Sequence, residues 1–412
     1  MAQKVWAGLD VGAETTSVCV IDDRGAIIHQ AVCPTDIRSV HREIVFLKRR
    51  RSARVGIETG NGMHLARGLW SLGYTVDIYE ARQLSKFLRA TRNKTDAGDA
   101  NGIAEAGRIG ATRVSKVHLK SLECQSLSSR LAIRQHLIRT RVRAATLLYR
   151  QIELFGGRIR SRAASGLLRQ RAEAEIKKLF GRTHNPVVAE LRRLIDVCEQ
   201  MMAYQQEVDR ELKQLATQTD VCRRFMEIPG VGPICALTFY ASIGEPHRFR
   251  RSADIGAYLG LTPKLHQSGL TRRVGRISKM GNVSARTALV GASIHFMRWA
   301  DPSSQLHAWA SQLEQRRGRG RARVALARKL ATVMLAMWKT GETYQSKRSN
   351  LEASSSSGEP AGLDPVDPNA HESALLVAGP GLCTLPQMRV DRGPAALVGS
   401  GTTATSPSVL GE

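Results

Sequence analysis

Acidic residues are in short supply in this chain. Its 412 residues hold 36 Asp and Glu against 61 Lys and Arg, a formal net charge of +25 with a pI near 10.5. An imbalance of that size is seldom needed for folding and selects for polyanionic partners, nucleic acid first and an anionic membrane surface second. Long apolar runs are missing as well: no stretch approaches the roughly 20 apolar residues that span a bilayer. The opening MAQKVWAGLD passes into a strand without the apolar core of a signal peptide. No membrane partner is expected, and the expected location is the cytoplasm, in association with the nucleoid. The seven cysteines are odd in number and scattered, with no CxxC and no His at ligand spacing. That excludes a disulfide framework and a zinc site and leaves reduced, mostly buried thiols.

What is present falls into blocks. From about Val5 to Gly110 the runs VWAGLD, TSVCVID and AIIHQAV are short, apolar or alternating, and separated by Gly, Asp and Arg-Gly turns, which reads as an antiparallel meander. A helix over about 36–48, the strand ARVGIET, the helix GMHLARGLWSLG, the strand YTVDIYE and helical residues from Arg82 complete the order βββαβαβα. That is the order of an RNase H-like (RuvC-like) α/β fold, assigned here to residues 1–112. Residues 113–220 read as all-α: apolar residues at heptad-like steps, Leu127 to Ile152 and Leu191 to Leu215, predict two long antiparallel helices, a coiled-coil linker joined through the basic segment FGGRIRSRAASG. Residues 221–345 are compact and mostly helical, and IPGVG resembles a helix-hairpin-helix, whose amides face a phosphate. Residues 346–412 contain no Phe, Trp or Tyr and carry four Lys and Arg against seven Asp and Glu. They form an expected disordered tail that is not a basic arm.

Against the basic background four acids stand out. Asp10 ends VWAGLD and Glu58 ends VGIE, each followed within two residues by a glycine. If those strands are neighbours, both carboxylates emerge at one end of the sheet within reach of one cation. Asp96 and Asp99, in KTDAGDA, are spaced i, i+3 and share a helix face. Such a set can hold Mg²⁺ and serve phosphodiester chemistry. Taken singly, an Asp after a strand is ordinarily a turn or cap residue, and an Asp pair at a helix start is ordinarily a solvated cap. GLDVGAETTSVCVID also fits the phosphate hairpin of actin-like kinases, but the charge and the absence of a second phosphate loop weigh against it.

Further on, TPKLHQSGLTRRVGRISKMGN sets Ser268 in a loop among Arg272, Arg273, Arg276 and Lys279. A serine attacks phosphorus only when cations stabilise both alkoxide and phosphate, which this cluster or a nearby metal can supply. On composition Ser278 competes with Ser268, and a turn role is open for both. Arg134, Arg139, Arg141, Arg143 and Arg150 on the first long helix could contact RNA or DNA; the plainer reading of that helix pair is a dimerising hairpin.

The pieces GLDVG with Asp10, GIETG with Glu58, KTDAGDA with Asp96 and Asp99, IPGVGP, and YLGLTPKLHQSGLTRRVGRISKMGN with Ser268, in this order, resemble the insertion-sequence 110 family of DEDD transposases, the bridge-RNA-guided recombinases. The resemblance runs from about Val5 to about Lys339. It implies a RuvC-like domain holding Mg²⁺ on the four acids, a coiled-coil linker, and a C-terminal transposase domain whose Ser268 forms a covalent phosphoserine link to DNA. It further implies dimers that pair into tetramers, composite sites shared between protomers, and a structured guide RNA that selects target and donor DNA by base pairing. Two alternatives use the same residues: a RuvC-like nuclease or junction resolvase with a metal-activated water, and a nucleic-acid-binding protein without cleavage activity.

Overall fold

In the computed structural model, residues 4–49, 52–88, 95–109, 114–159, 167–181, 184–268 and 271–345 are described. The expected tail 346–412, Arg160 and Arg162 lie outside them.

Two tight turns set up the first three strands. β1 (Trp6–Val11) reverses at Gly12, whose amide donates to the Thr15 carbonyl at 2.9 Å, into β2 (Thr15–Ile21). Asp22 then accepts from the amides of Arg24 and Ala26, both at 2.9 Å, and turns the chain into β3 (Ile27–Pro34). β2 is buried from Thr16 to Ile21, so it is covered on both faces, whereas β3 alternates as an edge strand does. Helix α1 (Ile37–Ile44), capped by the Asp36 side chain, leads to β4 (Arg54–Glu58), α2 (Met63–Ser71) and β5 (Val76–Tyr79). Next come α3 (Ala81–Leu88), α4 (Asp96–Ile109) and the two-residue β6 (Lys116–Val117). The six strands form one mixed sheet in the order β3-β2-β1-β4-β5-β6, with β1, β4 and β5 mutually parallel.

α4 lies across β1 and β2 at a separation only glycine permits. A Cβ on Gly8 would stand 2.0 Å from the Ala100 carbonyl oxygen and 2.5 Å from the Ala104 nitrogen, and one on Gly56 would stand 3.0 Å from the Ile103 side chain. Real Cβ atoms do not approach as closely as the one on Gly8 would, so strand and helix backbones meet directly there, while Gly56 makes room for the Tyr79 and Ile103 side chains.

The remainder is mostly helical. The long helices α5 (Leu122–Leu154) and α7 (Val187–Gln218) pack together, and α6 (Leu168–Phe180), absent from the sequence reading, closes a cluster between Leu148 and Ile152 of α5 and Leu191, Ile195 and Cys198 of α7. Between Leu127 and Leu148 α5 buries no side chain, nor does α7 between Cys198 and Leu212. A second core gathers α8 (Asp220–Phe225), α9 (Pro233–Ile243), α10 (Ile255–Tyr258), α11 (Val283–Trp299), α12 (Gln305–Arg317) and α13 (Arg319–Thr340) around Phe225, Phe239, Phe296 and Leu330. From it projects a hairpin of β7 (Pro263–Ser268) and β8 (Thr271–Ile277), where the sequence reading placed a loop. Its residues are mostly polar and exposed, with Leu265 and Val274 as isolated apolar positions, which is why no run of apolar alternation announced two strands. The six described cysteines are buried free thiols. No helix among the described residues is long and apolar enough to cross a membrane.

Asp77, 6% exposed in β5, holds the sheet edge together through Arg54 at 2.7 Å and Lys116 at 2.9 Å. Burial raises its carboxyl, but the hydrogen bonds and charges of Arg54 and Lys116 together outweigh burial and leave it below the usual carboxylate range. Its stabilisation is therefore present above the unfolded value of about 3.9 and disappears as pH falls through the lower folded value. Both partners are partly exposed, which reduces the gain to about 1–2 kcal/mol. In urea unfolding, Asp77→Asn is expected to lose that amount near neutral pH and progressively less as pH falls below about 3.9; a loss that does not shrink with falling pH would contradict the assignment.

Candidate active site

The acidic edge follows from strand register. β1 and β4 run parallel with Leu9 opposite Ile57, so the next step of each strand puts Asp10 and Glu58 side by side at the same end of the sheet, with strands about 4.8 Å apart. α4 runs the other way: its Gly107 faces Trp6, while Ala100 and Ala104 face Gly8. The start of the helix, with Asp96 and Asp99 in its first turn, therefore reaches toward Asp10. Capping falls to Thr95, whose hydroxyl accepts from the Gly98 amide at 3.0 Å, so the helix does not need either aspartate as its cap. Asp10, Glu58 and Asp99 are half-buried and Asp96 is exposed. Four acids at a helix N-terminus and two strand ends are also favoured by the helix dipole.

An all-carboxylate set is the donor chemistry of a hard divalent cation. The backbone brings the four acids to one edge. Among the described residues, however, no three His, Cys, Asp or Glu side chains converge as a metal-binding group. The donor types fit such an ion, and the side-chain convergence is not made.

Ser268 lies elsewhere, at the tip of the β7–β8 hairpin and opposite Thr271. Directly opposed residues share a face, so Ser268 and Thr271 lie on the same face as His266 and Arg273, with Lys264 one step further along. Of the expected cations, Arg273 is thus on the serine's face. Arg272 is paired with Gln267, Arg276 is exposed near the end of β8, and Lys279 lies beyond the strand with φ 55°. Ser278 donates its amide to the Thr262 carbonyl at 2.8 Å, at the hairpin root. Sequence reasoning passed over His266 and Lys264, since only register shows that they flank Ser268. Among the described residues no extensive contact joins the hairpin to β1, β4 or α4.

The root is built on two glycine crossings. A Cβ on Gly260 would stand 2.0 Å from the Met280 oxygen, and one on Gly281 2.1 Å from the Tyr258 oxygen. Arg286 of α11 locks them by donating from one nitrogen to the carbonyls of Leu259, Met280 and Gly281 at 3.0, 3.1 and 3.1 Å. Nothing in the sequence singled out Arg286 among so many arginines.

The helical arginines separate into two groups. Arg139 and Arg143 are exposed one turn apart, with Arg150 also exposed. Arg134 pairs with Asp209 of α7, and Arg141 lies half-buried with its Nε unpartnered, so these two belong to the helix pair. In IPGVG, Gly230 (φ 84°) is required by α11, whose Phe296 nitrogen would stand 2.6 Å from a Cβ, while Gly232 is open and precedes Pro233 at the start of α9.

Two family models match the chain: a DEDD transposase model of the IS110 group over residues 7–154, and one described as the transposase IS116/IS110/IS902 family over residues 222–308. The chain is 28% identical over 347 residues to a transposase for insertion sequence element IS1111A of Coxiella burnetii, covering 82% of this chain and 90% of that protein. It is 29% identical over 319 residues to a putative transposase of Sinorhizobium fredii (76% and 80% covered), and 29% identical over 289 residues to a probable family 20 transposase of Pseudomonas aeruginosa (69% and 83%).

If Arg286 holds the hairpin root, Arg286→Ala should speed amide hydrogen exchange across 263–277 by about tenfold or more while leaving β1 and β2 unchanged, since three carbonyls lose a charged donor. Unaltered exchange in the hairpin would remove Arg286 from this role.

Proposed function

The chain belongs to the IS116/IS110/IS902 family of transposases and is a DNA transposase, and we propose that it cuts and rejoins DNA with Ser268 as nucleophile and Asp10, Glu58, Asp96 and Asp99 as holders of Mg²⁺. A DEDD domain implies dependence on a divalent metal. The observation that supports the reading is backbone placement: Asp10 and Glu58 end adjacent parallel strands at the same end of the sheet, and the start of α4, with Asp96 and Asp99, reaches toward them in a chain with net charge +25. Carboxylates in such a chain face nucleic acid only if something offsets their repulsion of phosphate. A divalent cation held there would supply Lewis acidity and neutralise charge at the scissile phosphate.

On this reading residues 1–112 form an RNase H-like (RuvC-like) domain, 113–220 a coiled-coil linker and 221–345 the serine domain with a helix-hairpin-helix-like IPGVG turn. The Ser268 oxygen attacks phosphorus, forming an O–P bond as the bond to the departing sugar oxygen breaks. The hydroxyl proton passes to solvent and the departing oxygen gains one. Attack by another sugar hydroxyl on the phosphoserine reverses these changes and restores Ser268, so rejoining needs no energy source. Arg273 on the same face, with Arg272, Arg276 and Lys279 nearby, steadies the phosphate.

Because no extensive contact among the described residues joins the hairpin to the elements that carry the acids, we take the working site as composite, with the serine of one protomer meeting the acids of another. The stretch of α5 and α7 that buries no side chain is where a second copy would cover the coiled coil, giving a dimer or tetramer. The exposed Arg139 and Arg143 suit the backbone of a structured guide RNA, which would read DNA sequence by pairing.

Denaturing gels with labelled DNA test the chemistry. Wild type is expected to leave protein covalently attached, and Ser268→Ala to leave none. Asp10→Asn and Glu58→Gln should lower cleavage on the order of 10³-fold, the equivalent of several kcal/mol of transition-state stabilisation. DNA affinity in these two should change far less than cleavage, by about twofold, since every Lys and Arg that can track the phosphate backbone is kept. Cleavage by Ser268→Ala without adduct would instead favour a metal-activated water, and an adduct formed by Ser268→Ala would remove Ser268 as nucleophile.

A further inference from the structure

Where the chain leaves the sheet, a group of basic side chains stands, Lys120 and Arg248 with the imidazole of His118, that neither the acidic end of the sheet nor the hairpin uses. β6 runs antiparallel to β5 with Val117 opposite Ile78. The chain therefore continues through His118 and Lys120 toward the end of the sheet away from Glu58. Lys120 lies against the loop after α9, where a Cβ on Gly244 would be 3.6 Å from its Cγ. In the same loop the Arg248 guanidinium lies 4.2 Å from the Phe249 ring centre and 4.4 Å from that of Tyr258. Its Nε and Nη2 are buried and have no hydrogen-bond partner. Lys339 reaches this loop too, donating to the Phe249 carbonyl. Glu245 is an opposing charge facing His118.

This arrangement is costly on its own. Burial pushes both His118 and Lys120 down, and the charge of Arg248 pushes them further. Buried guanidinium hydrogens without acceptors add to the cost. An anion seated beside Lys120 and the half-buried Arg248 would offset the repulsion between these two charges. His118 also lines a groove of about 450 Å³ with Trp70, Tyr74 and Val117, and Trp70 is 62% exposed. An exposed indole sharing a groove with His118 and Leu119, the residues that lead into Lys120, offers the pairing that an unpaired nucleic-acid strand takes, base on ring and phosphate on charge.

We propose that His118, Lys120 and Arg248 form a phosphodiester site for a single-stranded segment of nucleic acid, whose neighbouring base stacks on Trp70 in the adjoining groove. The site is at the opposite end of the sheet from the four acids and involves no cleavage step, so it stands or falls independently of the Ser268 chemistry.

The test uses the full chain, dye-labelled unpaired DNA and RNA oligonucleotides of the same base sequence, and a duplex DNA control, with affinity followed by anisotropy across a salt series. Lys120→Gln should weaken at least one unpaired probe about 3- to 10-fold and reduce the slope of log affinity against log salt by about 0.7, the value for one phosphate of a single strand. Trp70→Ala should weaken the same probe about tenfold and leave the duplex unchanged. The arm that responds, DNA or RNA, identifies the strand. Thermal unfolding without nucleic acid adds a readout that a purely structural role would move the other way: Lys120→Gln relieves repulsion and should hold or raise Tm. Unchanged affinity and slope for both unpaired probes in both variants would overturn the proposal, as would a lower Tm for Lys120→Gln with binding intact.

Discussion

The acidic edge depends on how closely α4 crosses β1. Gly8 lets helix backbone rest on strand backbone, Gly56 makes room beside it for the Ile103 side chain, and the run of small residues in DAGDANGIAEAG matches them from the helix side. Two consequences follow from this one contact. The helix start is carried toward the ends of β1 and β4, where Asp10 and Glu58 emerge, and the helix cannot slide along its axis without driving a side chain into the sheet. Sheet topology supplies the rest: β1 and β4 are parallel neighbours, so their ends coincide.

The serine arm follows the opposite design. Its strands pair with each other and with little else, and its stiffness is concentrated at the root, in the glycine crossings and the three carbonyl bonds of Arg286. The exposed pair Leu265 and Val274 on the face away from Ser268 leaves an apolar surface available to whatever the arm meets. The hairpin is thus anchored at its base and open at its tip. The charge pattern agrees with this division: Arg130, Arg134 and Arg169 are tied to acids within the helices, whereas Arg139, Arg143 and Arg273 face outward.

Much of the fold was legible because its signals are local. Strand ends marked by an acid and a glycine, the meander of three short apolar runs, and the heptad spacing of α5 and α7 all appear within a few residues of sequence. Non-local features were not legible. The two residues of β6 are a strand only because β5 lies beside them, and α6 was hidden inside a segment whose charge reads as a connection. The hairpin carries no buried face, so the alternation that marks a strand is absent. At the site, sequence located the strand-end acids and the helix-start pair, but not the crossing at Gly8 that sets them together. It grouped Arg272, Arg273, Arg276 and Lys279 around Ser268, whereas pairing register separates Arg273 from the others and adds His266.

The central claim is that four acids remote in sequence form one cation site, and metal-directed backbone cleavage tests it without relying on DNA chemistry. With Fe²⁺ in place of Mg²⁺ and ascorbate and peroxide added, hydroxyl radicals cut the chain next to the bound ion. The account predicts cuts clustered near residues 10, 58 and 96–99, suppressed together by excess Mg²⁺ and by Asp10→Asn. Cuts confined to one of these segments, or a pattern indifferent to Mg²⁺, would contradict it.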